Sequence, residues 1–180
     1  MTCSRALNDA IRRKNYEFNA HGVELGTRYA SGAVVPDGTP EPGFTRDAEL
    51  YYHPTTWPGA RLPHVWLDHG GRRVSSIDLG GKGRFVLLTG PGGAGWRAAA
   101  EKVAARLGID LPLISIGPDG SDAHDIYADW FYQSGIQEDG AILVRPDNYV
   151  GWRHDSASDE AEALLDAALS QILARDSRAA

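Results

Sequence analysis

The chain has 180 residues, 42% of them apolar, with a formal net charge of −6, 21 glycines, 10 prolines and one cysteine. That length suits one domain, or one domain with an appendage, and the apolar fraction supports a real core, which excludes a long coiled coil and a disordered chain. The lone Cys3 excludes an intrachain disulfide, a CxxC redox pair and a cysteine zinc cluster. Acid is concentrated late in the chain: residues 119–180 hold 13 acidic and 4 basic side chains, and the densest basic cluster is only Arg12, Arg13 and Lys14. Nucleic acid, which wants a basic stripe, is therefore not an expected partner. No apolar run approaches the ~20 residues of a spanning helix, and the start MTCSRALNDAIRRKNYEF has no signal-peptide h-region, so the expectation is a soluble, cytoplasmic protein without a membrane partner.

Three zones follow one another. Residues 1–35 open with a helical pattern that sets Leu7, Ile11 and Phe18 near one face, and Gly22, Gly26 and Gly32 then break it. Residues 36–74 carry six of the ten prolines together with Tyr51, Tyr52, Trp57 and Trp66. Such proline density denies a regular helix, while the aromatic side chains argue against a free linker, so an extended segment pinned to a surface is expected. Residues 75–176 form the expected core domain. A leading strand is placed around Val74–Leu79; RFVLLTG (84–90) reads as a strand buried on both faces, and WRAAAEKVAARLG (96–108) spaces Trp96, Ala99, Ala100, Val103 and Leu107 as a helix.

LPLISIG (111–117) reads as a second buried strand and HDIYADWFYQSG (124–135) as a short helix carrying Ile126, Trp130 and Phe131. AILVR and YVGWR around Pro146-Asp147-Asn148 read as a hairpin. The closing helix has Ser158 as its candidate N-cap and an apolar stripe through Leu164, Leu165, Ala168, Leu169 and Ile172. The order β-α-β-α-β-β-α is that of an α/β, thioredoxin-like domain, here preceded by a helical tail and a Pro-rich extended segment.

Gly90-Pro91-Gly92-Gly93-Ala94-Gly95 matches G-x-G-x-x-G between a predicted strand and a predicted helix. In a dinucleotide site such glycines let the backbone approach a pyrophosphate at a helix N-terminus, and Asp119 stands near the place of the ribose-binding acid. Against this, the chain lacks further parallel crossovers, Pro91 separates the first two glycines and Trp96 follows the third. Gly90, Gly92 and Gly95 therefore remain only an alternative cofactor site, the basis of a reading as a small nucleotide-binding protein. In a redox-active thioredoxin this junction would carry the paired cysteines, and here it has no sulfur.

The six histidines show no HxxxH or HxH pair, and Asp119, Asp122 and Asp125 lack the ligand order of a calcium loop, so no metal site is expected. With no nucleophile elbow or phosphate loop, no catalytic residue is assigned.

Three segments carry a family resemblance. Residues 14–29, KNYEFNAHGVELGTRY, resemble a stretch near the end of the flavin domain of single-component phenol hydroxylases. Arg46–Tyr52 and Thr55–Leu67, with the motif PGARLPH, resemble the crossover into those enzymes' C-terminal domain, and LVRPD (143–147) with Val150, Trp152 and Arg153 resembles their closing hairpin. The pattern is nearest to the 2,4-dichlorophenol 6-monooxygenase type. The resemblance implies an FAD- and NADPH-dependent hydroxylase of phenolic rings whose C-terminal domain resembles thioredoxin, lacks its redox cysteines and serves packing and dimer contacts.

The family's flavin motifs lie upstream of the segments matched here, so no flavin-binding or catalytic residue is carried over, and no cofactor is expected in this chain alone. Residues 1–35 then resemble the end of the flavin domain. The expected partner is a flavin-domain polypeptide or a second copy of the chain, with Trp57, Arg61 and His64 as candidate contacts at the domain seam. A free-standing thioredoxin-like module for protein contacts is the reading from a different class.

Overall fold

The computed structural model describes residues 2–175, with side chains from Ser4 onward. The side chain of Cys3 and the last residue of the expected 75–176 domain lie outside the described residues. The chain divides into two compact units, one formed by residues 1–27 and 42–53, the other by residues 28–41 and 54–180. The smaller unit contains α1 (Thr2–Phe18) and α2 (His21–Leu25). Gly22 is buried there because any Cβ would strike the carbonyl oxygen of Ala48, and Val23 N donates to Glu49 O at 3.2 Å. The predicted apolar face of α1 is present, with Leu7 61%, Ile11 57% and Phe18 71% exposed.

The larger unit is built on a seven-stranded mixed sheet. In chain order its elements are β1 (Trp66–His69), β2 (Arg72–Ser75), α3 (Ser76–Leu79), β3 (Val86–Thr89), α4 (Ala94–Leu107), β4 (Leu113–Gly117), β5 (Ala123–His124), α5 (Asp129–Gln133), β6 (Ala141–Val144), β7 (Val150–His154) and α6 (Ala161–Ile172). The strand order is β2-β1-β5-β4-β3-β6-β7, with β3, β4 and β5 parallel and the remaining pairs antiparallel. The expected β-α-β-α-β-β-α run is thus present from β3 to α6, extended by β5 and by the β1–β2 hairpin.

Each element follows from local chemistry. All four residues of β3 are buried, as its continuous apolar run requires for a central strand flanked by β4 and β6. Helix α4 buries the five residues its periodicity picks out, and Gly108 closes it in the left-handed region at φ 64°. Trp96, 1% exposed, packs edge-on against Trp152 with ring centroids 5.5 Å apart, and its Nε1 donates to Asp139 O at 2.9 Å. One core layer joins these residues to Leu165 and Leu169 of α6, and the other lies on the opposite face of the sheet around Leu67, Leu88, Ile116, Trp130 and Ile142. Each fully buried leucine or isoleucine contributes roughly 1.5–3 kcal/mol.

Four local expectations are corrected. The strand placed at Val74–Leu79 ends at Ser75, because a reciprocal capping box between Ser75 and Asp78 starts the short helix α3. His124 belongs to β5, and the helix beyond it starts only at Asp129, after Ala128 takes a left-handed backbone (φ 58°). Strand β4 is mostly half-buried, with Ile116 its only fully buried residue among the described ones. Glu160, not Ser158, occupies the N-cap position of α6, while Ser158 Oγ accepts from Glu160 N at 3.1 Å in the preceding turn.

Residues 33–37 belong with the sheet. Val35 N donates to Gly151 O at 2.8 Å, and Arg145 Nη1 donates to Ala33 O at 3.2 Å. Residues 28–41 group with the sheet, and residues 42–53 with α1 and α2.

Candidate functional site

The strand-to-helix junction after β3 is where a site would be sought. A Cβ at Gly90 would fall closer than 3.0 Å to Glu138 O, one at Gly92 would meet the Asp139 side chain, and one at Gly93 would meet the Thr89 side chain. Gly95 has open space around its Cβ position. The turn's amides are engaged within the protein: Gly92 N donates to Glu138 O at 3.0 Å, Gly93 N to Gly90 O at 3.2 Å and Ala94 N to Gly92 O at 3.0 Å. Close packing on the 138–139 loop therefore accounts for Gly90 and Gly92, and the neighbouring carboxylates Glu138 and Asp139 would repel a phosphate.

A second constellation fixes the far side of the junction. Asp122 Oδ2 accepts from Ser115 N and Ser115 Oγ, both at 2.9 Å, and from Arg97 Nη2 at 2.8 Å, so it ties the loop before β5 to both β4 and α4. Burial alone would push this carboxyl up, but the hydrogen bonds from Ser115 and Arg97 outweigh it and hold the carboxyl below its ordinary range. Asp119 lies 3.1 Å from His124 Nδ1, and Asp125 Oδ2 accepts from Phe131 N at 3.0 Å. The three aspartates thus serve three different local bonds. No group of His, Cys, Asp and Glu among the described residues could hold a metal ion.

A third network was not readable in advance because its members are far apart in the chain. Arg153 of β7 donates through Nε to Asp37 Oδ2 at 2.5 Å, through Nη1 to Thr56 Oγ1 at 3.1 Å and through Nη2 to Thr39 Oγ1 at 3.3 Å. Thr56 Oγ1 in turn donates to Ser134 O. The ion pair is nearly buried, with side chains 13% and 10% exposed. Burial pushes the Asp37 carboxyl up, and the bonds from Thr39 and Arg153 more than reverse this, leaving it lowered.

The three candidate seam residues contact the larger unit itself. Trp57 Nε1 donates to Thr39 O at 3.3 Å, Arg61 forms an isolated antiparallel bridge with Tyr149, and the exposed His64 pairs its Nδ1 with Ser75 Oγ at 2.7 Å and stands edge-on to Trp66. They are not brought together into one cluster. The PGARLPH turn instead runs along the β6–β7 connection, where Leu62 N donates to Asn148 O at 2.8 Å and Val150 N to Ala60 O at 2.9 Å.

One cavity of about 240 Å³ opens at the carboxyl ends of the three parallel strands, where Gly90, Gly117 and His124 meet Trp130 and Phe131 of α5. It is the place at which open α/β sheets bind ligands.

The fold and these sites define a mixed α/β domain whose polar clusters are structural clamps. The chain belongs to the aromatic-ring hydroxylase family: the model of that family's C-terminal domain matches residues 55–175. It is 51% identical over 169 residues to a 2,4-dichlorophenol 6-monooxygenase of Delftia acidovorans, covering 92% of this chain and 29% of the relative. It is 46% identical over 162 residues to a phenol 2-monooxygenase of a Pseudomonas strain, covering 89% of this chain and 26% of the relative. Among solved structures, the flavin-dependent monooxygenase PieE in complex with FAD and substrate superposes with a TM-score of 0.87 at 48% identity, over 96% of this chain and 29% of PieE. The chain therefore spans between a quarter and a third of the length of these relatives, and it corresponds to their C-terminal domain.

Proposed function

We propose that this chain is the thioredoxin-like packing and dimerisation portion of an FAD- and NADPH-dependent phenol hydroxylase, and is not catalytic alone. The carrying observation is the exposed apolar face of α1. Leu7, Ile11 and Phe18 fall on one exposed stripe of α1 that water does not favour, and Val23 of α2 adds a further apolar side chain at 61% exposure. In the complete enzyme this face packs against the remainder of the hydroxylase, or against a second copy where the chain acts alone. Trp57, Arg61 and His64 of the larger unit are candidate contacts at a domain seam.

The residues present do not fit a dinucleotide. The glycine-rich junction has its amides engaged and its glycines packed on an acidic loop, so FAD and NADPH would be held elsewhere in the whole enzyme. Flavin titration followed by fluorescence, together with light-scattering determination of mass, tests the reading. The expected result is no flavin binding, self-association at micromolar concentration and binding of a hydrophobic dye. Tight FAD binding by this chain, or a monomer that takes up no dye, would overturn it.

A further inference from the structure

The cavity at the ends of β3, β4 and β5 is not absorbed by the packing role, and what surrounds its mouth decides what it can hold. Its walls include Ile116, Trp130, Phe131 and Ile136, and all of its lining belongs to the larger unit. Between the lining residues Asp125 and Ala128 the chain exposes Ile126 and Tyr127. Phe131 in the wall is 58% exposed and Tyr132 beside it 80%, their rings edge-on with centroids 5.3 Å apart. Four large apolar side chains exposed over so short a stretch form a contiguous patch, the mark of an interaction surface. A small molecule inside the cavity of about 240 Å³ would leave Tyr127 and Tyr132 in water, since neither lines it, whereas a polypeptide covers both the hollow and its rim.

The rim is acidic. Asp129 lies between the lining residues Ala128 and Trp130, Glu138 is itself in the lining and Asp119 follows the lining Pro118; all three are exposed. From Leu107 to Val144 the chain has no lysine or arginine, and Arg97 on the neighbouring α4 is taken up by Asp122 at 2.8 Å. A partner that brings cations to these carboxylates gains complementarity, while the same face of a second copy would set carboxylate against carboxylate. The sheet restricts the partner's shape. Strands β3, β4 and β5 are all interior, so no open sheet edge reaches the cavity and an extended peptide finds no strand to pair with. A helix satisfies its own backbone and presents neighbouring apolar side chains at i, i+3 and i+4, so one anchor can fill the hollow while the next covers the Phe131–Tyr132 pair.

We propose that the cavity and the aromatic turn beside it form a docking site for a basic amphipathic helix of another polypeptide, with one apolar side chain seated in the cavity and lysine or arginine side chains against Asp119, Asp129 and Glu138. The proposal does not depend on the exposed face of α1, since it uses only side chains of the larger unit.

The test is fluorescence anisotropy of a labelled synthetic helix of leucine and lysine, about 15 residues long with its leucines on one face, titrated with the 180-residue chain. A counterpart with glutamate in place of lysine is run beside it. Saturable binding of the lysine peptide is expected, with the glutamate peptide at least about tenfold weaker. Phe131→Ser or Tyr132→Ser, both at exposed side chains, should weaken the lysine peptide about tenfold, and Asp129→Lys with Glu138→Lys should reverse the preference between the two peptides. Leu7→Ser with Ile11→Ser should leave the binding unchanged, so failure of this site and failure of the α1 reading are told apart. Circular dichroism reports whether each variant is folded; where one is not, amide shifts at Gly90, Gly117 and Ser134 of the unmodified chain under the lysine peptide decide the matter. The proposal is overturned if the lysine peptide does not saturate, if the glutamate peptide binds as tightly, or if the Phe131 and Tyr132 variants bind as the native chain does. It is also overturned if the Leu7 and Ile11 changes remove binding, or if in that variant the Tyr132 amide shifts on dilution of the chain alone, which would mean that a second copy covers the face.

Discussion

Arg153 and Asp37 show how much one pair can do when it lies between distant segments. The guanidinium joins β7 to Asp37, Thr39 and Thr56, none of which follows it in the chain. Hydrogen bonds to charged groups contribute about 1.5–3 kcal/mol, so Asp37→Asn should lower unfolding stability by about 2 kcal/mol at pH 7, measured by denaturant titration. The sign of the pH effect follows from the lowered folded pKa. The unfolded carboxyl, near its ordinary 3.8, binds protons before the folded one does, so the pair's contribution is full above that value and is lost as the pH falls through the folded pKa. The gap between the native chain and Asp37→Asn should therefore narrow as the pH falls below 4, and a gap that stays the same size in acid would contradict the assignment.

The glycines of the junction make an opposed pair at the same scale. Gly90→Ala drives a methyl into the Glu138 carbonyl and should destabilise by several kcal/mol, on the order of other overpacking lesions. Gly95→Ala meets nothing and lies in the first turn of α4, so it should be neutral or stabilise by up to about 1 kcal/mol. Thermal unfolding of both variants separates a packing role from a phosphate-binding one, in which the third glycine would matter as well.

Among the elements, α4 and α1 stand at opposite ends of legibility. The apolar spacing of α4 gives its buried face residue for residue, and Trp96, the largest member of that face, supports the α4–α6 layer through Trp152. Trp96→Ala should cost about 3–5 kcal/mol in denaturant unfolding. The spacing of α1 gives an equally clear stripe, but Leu7, Ile11 and Phe18 are exposed. Leu7→Glu with Ile11→Glu should abolish self-association and dye binding without shifting the melting of the sheet; a variant that associates as strongly as the original chain would remove α1 from the interface. Ser158 and the Val74–Leu79 segment were misplaced for a shared reason. Cap residues compete over one or two positions, and the winner is set by which side chain the tertiary turn turns inward.

On the scale of the whole molecule, burial is uneven. Strands β3 and β6 are fully buried, whereas Gly22 is the only buried residue within α1 and α2 among the described side chains. Hydrogen exchange should accordingly be slowest at the Leu87, Leu88, Ile142 and Leu143 amides and faster by orders of magnitude across α1. That contrast is expected where the chain is dilute enough to be monomeric, and protection of α1 that rises with protein concentration is expected from self-association through this face.

What the sequence determined by itself is whatever depends on short-range order. A continuous apolar run placed β3, helical spacing placed α4 and α6, the runs flanking Pro146-Asp147-Asn148 placed β6 and β7, the absent sulfur removed redox chemistry from the junction, and PGARLPH with LVRPD pointed to the family that the comparisons support. Only the tertiary structure decided which distant residues meet. The β1–β2 hairpin joins the sheet through β5, residues 28–41 lie with the larger unit, Arg153 finds Asp37, and Asp125 reaches the cavity at the strand ends. Periodicity records which face of an element is apolar, but the partner of a single polar side chain is chosen by chain crossings tens of residues away, and those leave no local pattern to read.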